Sequence, residues 1–199
     1  MIEIDKTRLA EPAEFDVRCR LTGLQWLLAN PRAERKSNQR PRDYWSPFKP
    51  QLADGFRQLC AYGAMYEPVG TVDHFLPVDA DELQAYEWGN YRFAAGWINS
   101  SKNKAVNILD PLDVRVGWFE VLLPSLQLVL VPERVPEPLR VLAEQTLNRL
   151  HLRDDERVLR QRRMWYRMYQ EGKLTLEGLH VVAPLIAMAV EKQGGPELA

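Results

Sequence analysis

The sequence predicts an α+β protein, and three observations carry that prediction. Two short segments rich in strand-forming residues, GTVDHFLP and NYRFAAG, lie near the middle of the chain, and a second pair, VRVGWFEVLL and LQLVLV, follows them. Leucines at helical spacing fill the last third. The 199 residues are 46% hydrophobic and 27% charged, as is typical of a folded globular chain with a sizeable core.

Local sequence signals predict the bounds of each element. Residues 15–30 alternate at first and then become helix-like, four prolines mark a loop over 31–50, and apolar spacing predicts a helix over 51–62. Pro124-Ser125 is the expected turn of the later strand pair, and Gly172 the expected stop of one C-terminal helix. Three regions are predicted in total: an N-terminal extension at 1–50, a mixed core with its trailing hairpin at 51–132, and a helical region at 133–199. Its helices begin near Leu139, Asp155 and Leu174, and the last nine residues are expected to be frayed.

The charge and cysteine content narrows the function classes. The formal net charge is −1, so nucleic-acid contact would have to come from local patches. Cys19 and Cys60 form no C-x-x-C pair, which favours reduced thiols and a cytoplasmic protein. The N-terminal residues lack the apolar core of a signal peptide, and no apolar run is long enough for a membrane span. We therefore expect no membrane association.

Two basic segments each have two interpretations. The loop at 32–42 is either a solvated linker or an arm that contacts phosphates. The arginine-rich segment from Arg157 to Arg167 is either a solvated helix face over a core stripe or a second phosphate-binding surface.

The segment from Val72 to Lys104 carries the residues that could perform chemistry. Hydrolysis of a phosphodiester requires an activated water, which a neutral His74 could supply, and a means of stabilising charge on the phosphate. Mg²⁺ prefers oxygen ligands, and Asp73 and Asn99 offer a carboxylate and an amide. Asn90 precedes a strand and could hold the histidine loop through backbone hydrogen bonds. Taken singly, each of these residues is more often structural.

The order of three short motifs in this segment resembles the HNH endonuclease family, whose site is the ββα-metal motif. Asp73-His74-Phe75-Leu76-Pro77 matches its first strand end, Trp88-Gly89-Asn90-Tyr91-Arg92 its second motif, and Asn99-Ser100-Ser101-Lys102 its helix. The resemblance covers about 33 residues and extends less specifically on both sides. It is also similar to the HNH module of RNA-guided CRISPR nucleases, where asparagine is the last ligand.

The resemblance implies a role for each matched residue. His74 would be the general base, Asn90 would orient its loop, and Asp73 and Asn99 would bind a single Mg²⁺ or Mn²⁺. We further expect Arg92, Lys102 and Lys104 to contact substrate phosphates.

Many relatives hold a structural zinc between two C-x-x-C pairs. Here only Cys60 of those four positions is a cysteine, and the second pair is replaced by Ala95 and Ile98. The departure predicts no zinc, with apolar packing of Ala95, Trp97 and Ile98 instead.

The resulting hypothesis is a metal-dependent endonuclease that hydrolyses DNA. A defence or toxin system of bacteria or phages, with a protein partner, is the setting that fold-level analogy suggests. Two alternatives stay open: an HNH-like scaffold that binds nucleic acid or protein without cutting, and a helical interaction protein that pairs through its apolar C-terminal helix.

Overall fold

The computed structural model describes residues 1–36 and 39–194 and confirms the α+β class. A π-helical stretch at Asp16–Leu21 leads directly into the first α-helix. The remaining elements, in chain order, are α1 (Thr22–Ala29), α2 (Lys49–Gly55), β1 (Thr71–His74), β2 (Tyr91–Ala94), α3 (Gly96–Lys102), β3 (Phe119–Leu122), β4 (Gln127–Leu130), α4 (Glu137–Arg149), α5 (Glu156–Gln170), α6 (Leu176–Val182) and α7 (Pro184–Lys192).

The strands form two separate antiparallel pairs. β1 pairs with β2, so that Asp73 lies opposite Arg92 and His74 opposite Tyr91. β3 pairs with β4 in a tight hairpin that joins Phe119 to Leu130. Helix α3 begins two residues after β2 ends and contacts β1. The chain therefore runs strand, strand, helix through the segment that carries the site.

One continuous hydrophobic core joins the three sequence regions. Phe15 from the N-terminal region, Phe93 from the middle and Leu147 from the C-terminal region are each at most 1% exposed and belong to the same cluster. Three aromatic rings meet Phe15 edge-on, those of Phe48, Trp88 and Tyr91. Such edge contacts add to the area term of burial, so the N-terminal extension is part of the core that supports β2.

Two predicted helices have different bounds. The helix predicted over 51–62 ends at Gly55, because Arg57 and Gln58 adopt left-handed backbone angles and turn the chain. Leu59 then forms an isolated bridge with Tyr66. The predicted third C-terminal helix is two helices, since Pro184 cannot continue a helix and begins α7 instead.

Parts of the expected frayed C-terminus and of the basic loop lie outside the described residues. Glu191 and Lys192 of the nine C-terminal residues belong to α7, and 195–199 lie outside the described residues. Residues 37 and 38 of the basic loop also lie outside them. In the described part of the chain, no helix is long and apolar enough to cross a membrane.

Candidate functional site

A large open cavity lies beside the end of β1 and the second half of α3. Its volume is about 920 Å³, and its wall includes Asp73, His74 and Asn99, three of the four principal site residues predicted from sequence. Described residues of the basic loop also line the cavity, as does Trp45. The loop and the motif residues thus share one water-accessible space.

The cavity wall is rich in cationic side chains. Five cations face three acids around it, the cations being Arg32, Arg35, Lys36, Arg40 and Lys104 and the acids Asp73, Asp79 and Glu82. Arg35 is 95% buried against Glu82, and within the described residues its Nε donates no hydrogen bond. A cationic surface of this kind is suited to phosphate groups.

His74 is held in one orientation at the end of β1. Its Nε2 lies 3.0 Å from the carbonyl oxygen of Ala85, which can only accept, so Nε2 carries the proton in the neutral ring. The ring meets Trp45 edge-on at 4.6 Å and Tyr91 at 5.2 Å between centroids. Nδ1 has no hydrogen-bond partner among the described residues and therefore keeps its lone pair.

Burial makes His74 a weak base in the folded protein. Desolvation, with smaller contributions from the positive charges of Arg40 and Lys102, lowers the pKa of its imidazole from 6.5 to about 4, against the opposing effects of the Ala85 hydrogen bond and the charge of Asp73. The ring is consequently neutral at pH 7. A neutral imidazole with a free Nδ1 can accept a proton from water.

Asp73 lies in a buried network of polar side chains. The residue is 1% exposed, its Oδ2 accepts from the Tyr62 hydroxyl at 2.6 Å, and its Oδ1 accepts from the Lys102 ammonium at 3.0 Å. Lys102 also donates to the carbonyl of His74 at 2.6 Å. Burial, then the charge of Asp73, raises the pKa of Tyr62 well above its usual value, so the hydroxyl stays protonated as the donor.

Asn99 presents an oxygen to the cavity. Its Nδ2 donates to Thr71 Oγ1 at 3.0 Å and approaches the carbonyl of Val72 at 3.4 Å, both on β1. These contacts orient the amide, and Oδ1 accepts no hydrogen bond within the described residues. Of the two predicted metal ligands, the Asn99 amide oxygen therefore has fewer competing hydrogen bonds than the Asp73 carboxylate.

Asn90 closes the loop that carries Ala85. Its Oδ1 accepts from the backbone N–H of Leu76 at 2.7 Å, while its Nδ2 donates to the carbonyls of Leu76 and Gln84 at 3.0 and 2.9 Å. The backbone N–H of Phe75 donates to the Asn90 carbonyl. Asn90 thus joins the backbone at Leu76, just after His74, to the backbone at Gln84. Gln84 precedes Ala85, whose carbonyl accepts from the His74 ring.

The donor set of the predicted metal site fits Mg²⁺ or Mn²⁺ in chemical type. A carboxylate and an amide oxygen line one hydrated cavity, which leaves room for the waters that Mg²⁺ retains. Each Asp73 oxygen has a further acceptor direction beyond its present hydrogen bond. A cation at Asp73 would have to share the carboxylate with the ammonium of Lys102, so the two positive charges compete there.

Two of the three predicted phosphate contacts are placed elsewhere. Arg92 is 3% exposed, donates through Nε and Nη2 to the two carboxylate oxygens of Asp110, and donates through Nη1 to the carbonyls of Gly89 and Tyr91. Lys102 is fully buried in the network described above. Both predictions need correction, because charge alone suggested exposure, whereas Lys102 pairs with the buried Asp73 and Arg92 with the partly buried Asp110. Lys104 does line the cavity and pairs with Asp79 at 3.0 Å.

Cys60 sits in a tight turn that lies against the ββα segment. Its sulfur accepts the backbone N–H groups of Gly63 and Ala95, each at 3.3 Å, and Ile98 packs beside it. Burial raises the pKa of the Cys60 thiol. Among the described residues, no group of three or more His, Cys, Asp or Glu side chains is placed to bind a metal ion.

Helix α5 does not reach the cavity. Arg162 is 1% exposed and donates to the carbonyls of Leu126, Leu152 and Arg153, which joins α5 to the hairpin turn and to the end of α4. Burial lowers the pKa of Arg162 to about 10. Arg157 lies over the ring of Trp97 at 4.3 Å. These two arginines have structural partners.

Sequence reasoning missed Tyr62, Trp45 and Ala85. Tyr62 stands two residues after Cys60, inside the segment that resembles the zinc turn, but nothing in the sequence pairs it with Asp73. Ala85 contributes only its carbonyl, which no side-chain pattern reveals. Trp45 lies among the prolines of the basic loop and was assigned no role.

Comparison of the chain with protein-family models, with curated proteins and with solved structures finds no match. Functional inference therefore depends on the motif order and on the geometry of the cavity.

Proposed function

We propose that the protein is a metal-dependent endonuclease of the HNH type that hydrolyses phosphodiester bonds, with DNA as the expected substrate. The observation that carries the proposal is the state of His74 on the cavity wall. Its Nε2 is committed to the Ala85 carbonyl, its Nδ1 is free, and its ring is neutral at pH 7. This is the protonation state that a general base needs.

The roles of the surrounding residues follow from their contacts. His74 Nδ1 accepts the proton of the attacking water, and Asn90 keeps the ring and the Ala85 carbonyl together. Asn99 Oδ1 and Asp73 would bind the metal ion, which when present stabilises negative charge on the phosphate oxygens. Arg40, Lys36 and Lys104, which also line the cavity, are suited to neutralise phosphates next to the scissile one.

A nicking assay tests the proposal directly. Purified protein is incubated with supercoiled plasmid, and in parallel with labelled RNA, in Mg²⁺, Mn²⁺ or EDTA. We expect metal-dependent nicking that His74→Ala abolishes. His180→Ala is the matched control, since His180 lies on α6 with Glu191 of α7 as its partner and does not line the cavity. Cleavage that survives His74→Ala would remove the assignment of the base.

A non-catalytic binding scaffold is the second candidate, and the Asp73–Lys102 pair favours it. A carboxylate already neutralised by a buried ammonium is a poorer cation ligand than a free one. This candidate predicts DNA or RNA binding that EDTA and Asn99→Ala leave unchanged, without cleavage. The same substrates, measured by anisotropy in the presence and absence of metal, separate the two candidates.

A further inference from the structure

The side chain of Trp45 lines the cavity beside the proposed base. Its ring packs partly against the hydrophobic core, and its centroid lies 4.6 Å from that of the His74 ring. Within the described residues the indole Nε1 donates no hydrogen bond, and this atom is not fully buried. Part of the indole is therefore open to the cavity, although the rest of the ring belongs to the core.

The backbone and the neighbouring rings hold Trp45 in place. Asp43 Oδ1 accepts the backbone N–H groups of Trp45 and Ser46 at 3.1 and 2.9 Å, which fixes the turn that carries the indole. The ring of Tyr86 contacts it at 5.8 Å between centroids. A side chain that is already ordered loses little conformational freedom when a ligand binds. Trp45 is therefore a preformed aromatic surface.

An aromatic surface of this kind selects bases that are not stacked in a duplex. Every nucleobase has a π-face, so stacking on an aromatic side chain tolerates any sequence. Inside a duplex those faces are covered by the neighbouring base pairs, and a base must leave the stack before a protein ring can contact it. The cavity volume of about 920 Å³ is in the range of pockets that enclose small organic ligands. That volume suits a short segment of one strand better than the cross-section of a duplex.

Two cations of the cavity wall are available for the backbone of such a strand. Lys36 and Arg40 line the cavity and have no ion-pair partner within the described residues. The other three cations of the wall, Arg32, Arg35 and Lys104, each lie within 4.0 Å of a carboxylate oxygen of Asp79 or Glu82. An aromatic surface beside uncompensated cations is the combination with which proteins bind single strands.

We propose that the cavity binds an unpaired segment of DNA, with one base stacked on Trp45 and a neighbouring phosphate beside His74. The short separation of the two rings allows both contacts to come from adjacent groups of one strand. This inference rests on the proposed function for the role of His74 and adds the conformation of the substrate. A free single strand and a nucleotide turned out of a duplex present the same chemistry to Trp45.

Binding of three DNA probes to the full chain, measured by anisotropy in EDTA so that no metal-dependent cleavage occurs, tests the proposal. The probes are a labelled oligothymidine of about 16 nucleotides, the same strand paired with oligoadenine, and an abasic strand of equal length. We expect the oligothymidine to bind at least about fivefold more tightly than either of the others. Charge alone would favour the duplex, because its phosphates are more closely spaced along the axis.

Substitutions of Trp45 separate stacking from packing. Trp45→Phe keeps a π-face and should retain most of the affinity for oligothymidine. Trp45→Leu keeps an apolar side chain without a π-face and should weaken that affinity about fivefold or more, while binding of the abasic strand stays unchanged. Trp97→Leu is the matched control, since Trp97 is also partly buried but does not line the cavity. Circular dichroism verifies that each variant is folded, and the abasic comparison on the natural chain needs no variant.

Three outcomes overturn the proposal: oligothymidine does not bind, the abasic strand or the duplex binds as tightly as oligothymidine, or folded Trp45→Leu binds oligothymidine as the natural chain does. A duplex with a central unpaired bubble distinguishes the two sources of an unpaired base, since tight binding to it shows that a free strand end is not required. Failure of the nuclease proposal gives a different result, namely preference for the single strand without metal-dependent nicking. Nicking without that preference would instead retain the nuclease and remove the role of Trp45.

Discussion

Replacement of Lys102 by methionine tests the buried network at the centre of the site. The ammonium is fully buried and donates to Asp73 Oδ1 at 3.0 Å and to the His74 carbonyl at 2.6 Å. Methionine keeps an unbranched apolar side chain but removes the charge. Asp73 then retains the Tyr62 hydroxyl as its donor and loses its only cationic partner within the described residues.

The expected cost is large because the remaining charge is buried. Removal of one partner of a buried ion pair typically costs about 3–5 kcal/mol, since the other charge is left uncompensated. For a chain of 199 residues, each kcal/mol lowers Tm by roughly 2–4 °C. Lys102→Met should therefore lower Tm by roughly 6–20 °C. Lys104→Met, two residues away and paired with Asp79 at the surface, should cost at most about 1 kcal/mol.

Urea denaturation of the two variants gives the comparison. The double variant Asp73→Asn with Lys102→Met should recover most of the lost stability, because it removes the uncompensated charge as well. A metal arm uses the same samples: Mn²⁺ should raise the Tm of Lys102→Met more than that of the natural chain, since the competing ammonium is gone. The reasoning is refuted if Lys102→Met is no less stable than Lys104→Met, or if the double variant recovers nothing.

Three further predictions address the base, a turn and the loop clamp. The acid limb of kcat/KM should titrate near pH 4 and not near 6.5, because burial lowers the pKa of His74; a limb near 6.5 would contradict this. Gly70→Ala should cost several times more stability than Gly89→Ala, measured by urea denaturation. Gly70 has φ +43° and an added Cβ would lie 2.1 Å from the Phe93 ring, whereas Gly89 has open space. Asn90→Ala removes three hydrogen bonds and should cost about 2–4 kcal/mol, with kcat reduced more than KM is raised; an unchanged Tm would show that the clamp is dispensable.

His74 also makes the stability of the fold depend on pH. Its folded pKa, about 4, is depressed below the ordinary value of 6.5, so the unfolded chain binds a proton first as pH falls. The contribution of the neutral ring is complete above about pH 6.5 and is lost progressively toward pH 4. His74→Gln should flatten the stability profile across that window, and urea midpoints measured at pH 4.5 and 7.5 give the comparison.

The order of elements around the site could be predicted because it depends on local signals. Strand-forming residues bounded by Pro77 and Gly96, and the polar loop between them, are enough to predict strand, loop, strand and helix over 70–106. Asp73 and His74 stand at the end of a strand, Asn99 on a helix and Asn90 directly before the second strand, all within this short span, so their placement requires few long-range assumptions. Asn90 also lies where a loop clamp is expected.

The partners of the charged residues could not be predicted in the same way. Asp73 pairs with Tyr62, 11 residues before it, and with Lys102, 29 residues after it. Arg92 pairs with Asp110, 18 residues away. A charged residue is usually exposed, and only tertiary packing, such as that of α3 against β1 for Lys102 and Asp73, decides that these are not. Sequence therefore predicts which polar residues are brought together, but not which of them neutralise each other.

The packed turn at Cys60 has a consequence for the proposed metal site. The sulfur binds the N–H groups of Gly63 and Ala95 and so fixes the turn against the start of α3. Tyr62 lies within that turn, and its hydroxyl reaches Asp73 at 2.6 Å. The apolar turn is thus connected through Tyr62 to the carboxylate and onward through Lys102 to α3. Because the turn fixes where the tyrosine hydroxyl lies, packing around Cys60 controls how freely Asp73 can rotate toward a cation. The proposed metal site would gain rigidity from the turn, while its affinity for a cation would be set by the competition between that cation and Lys102.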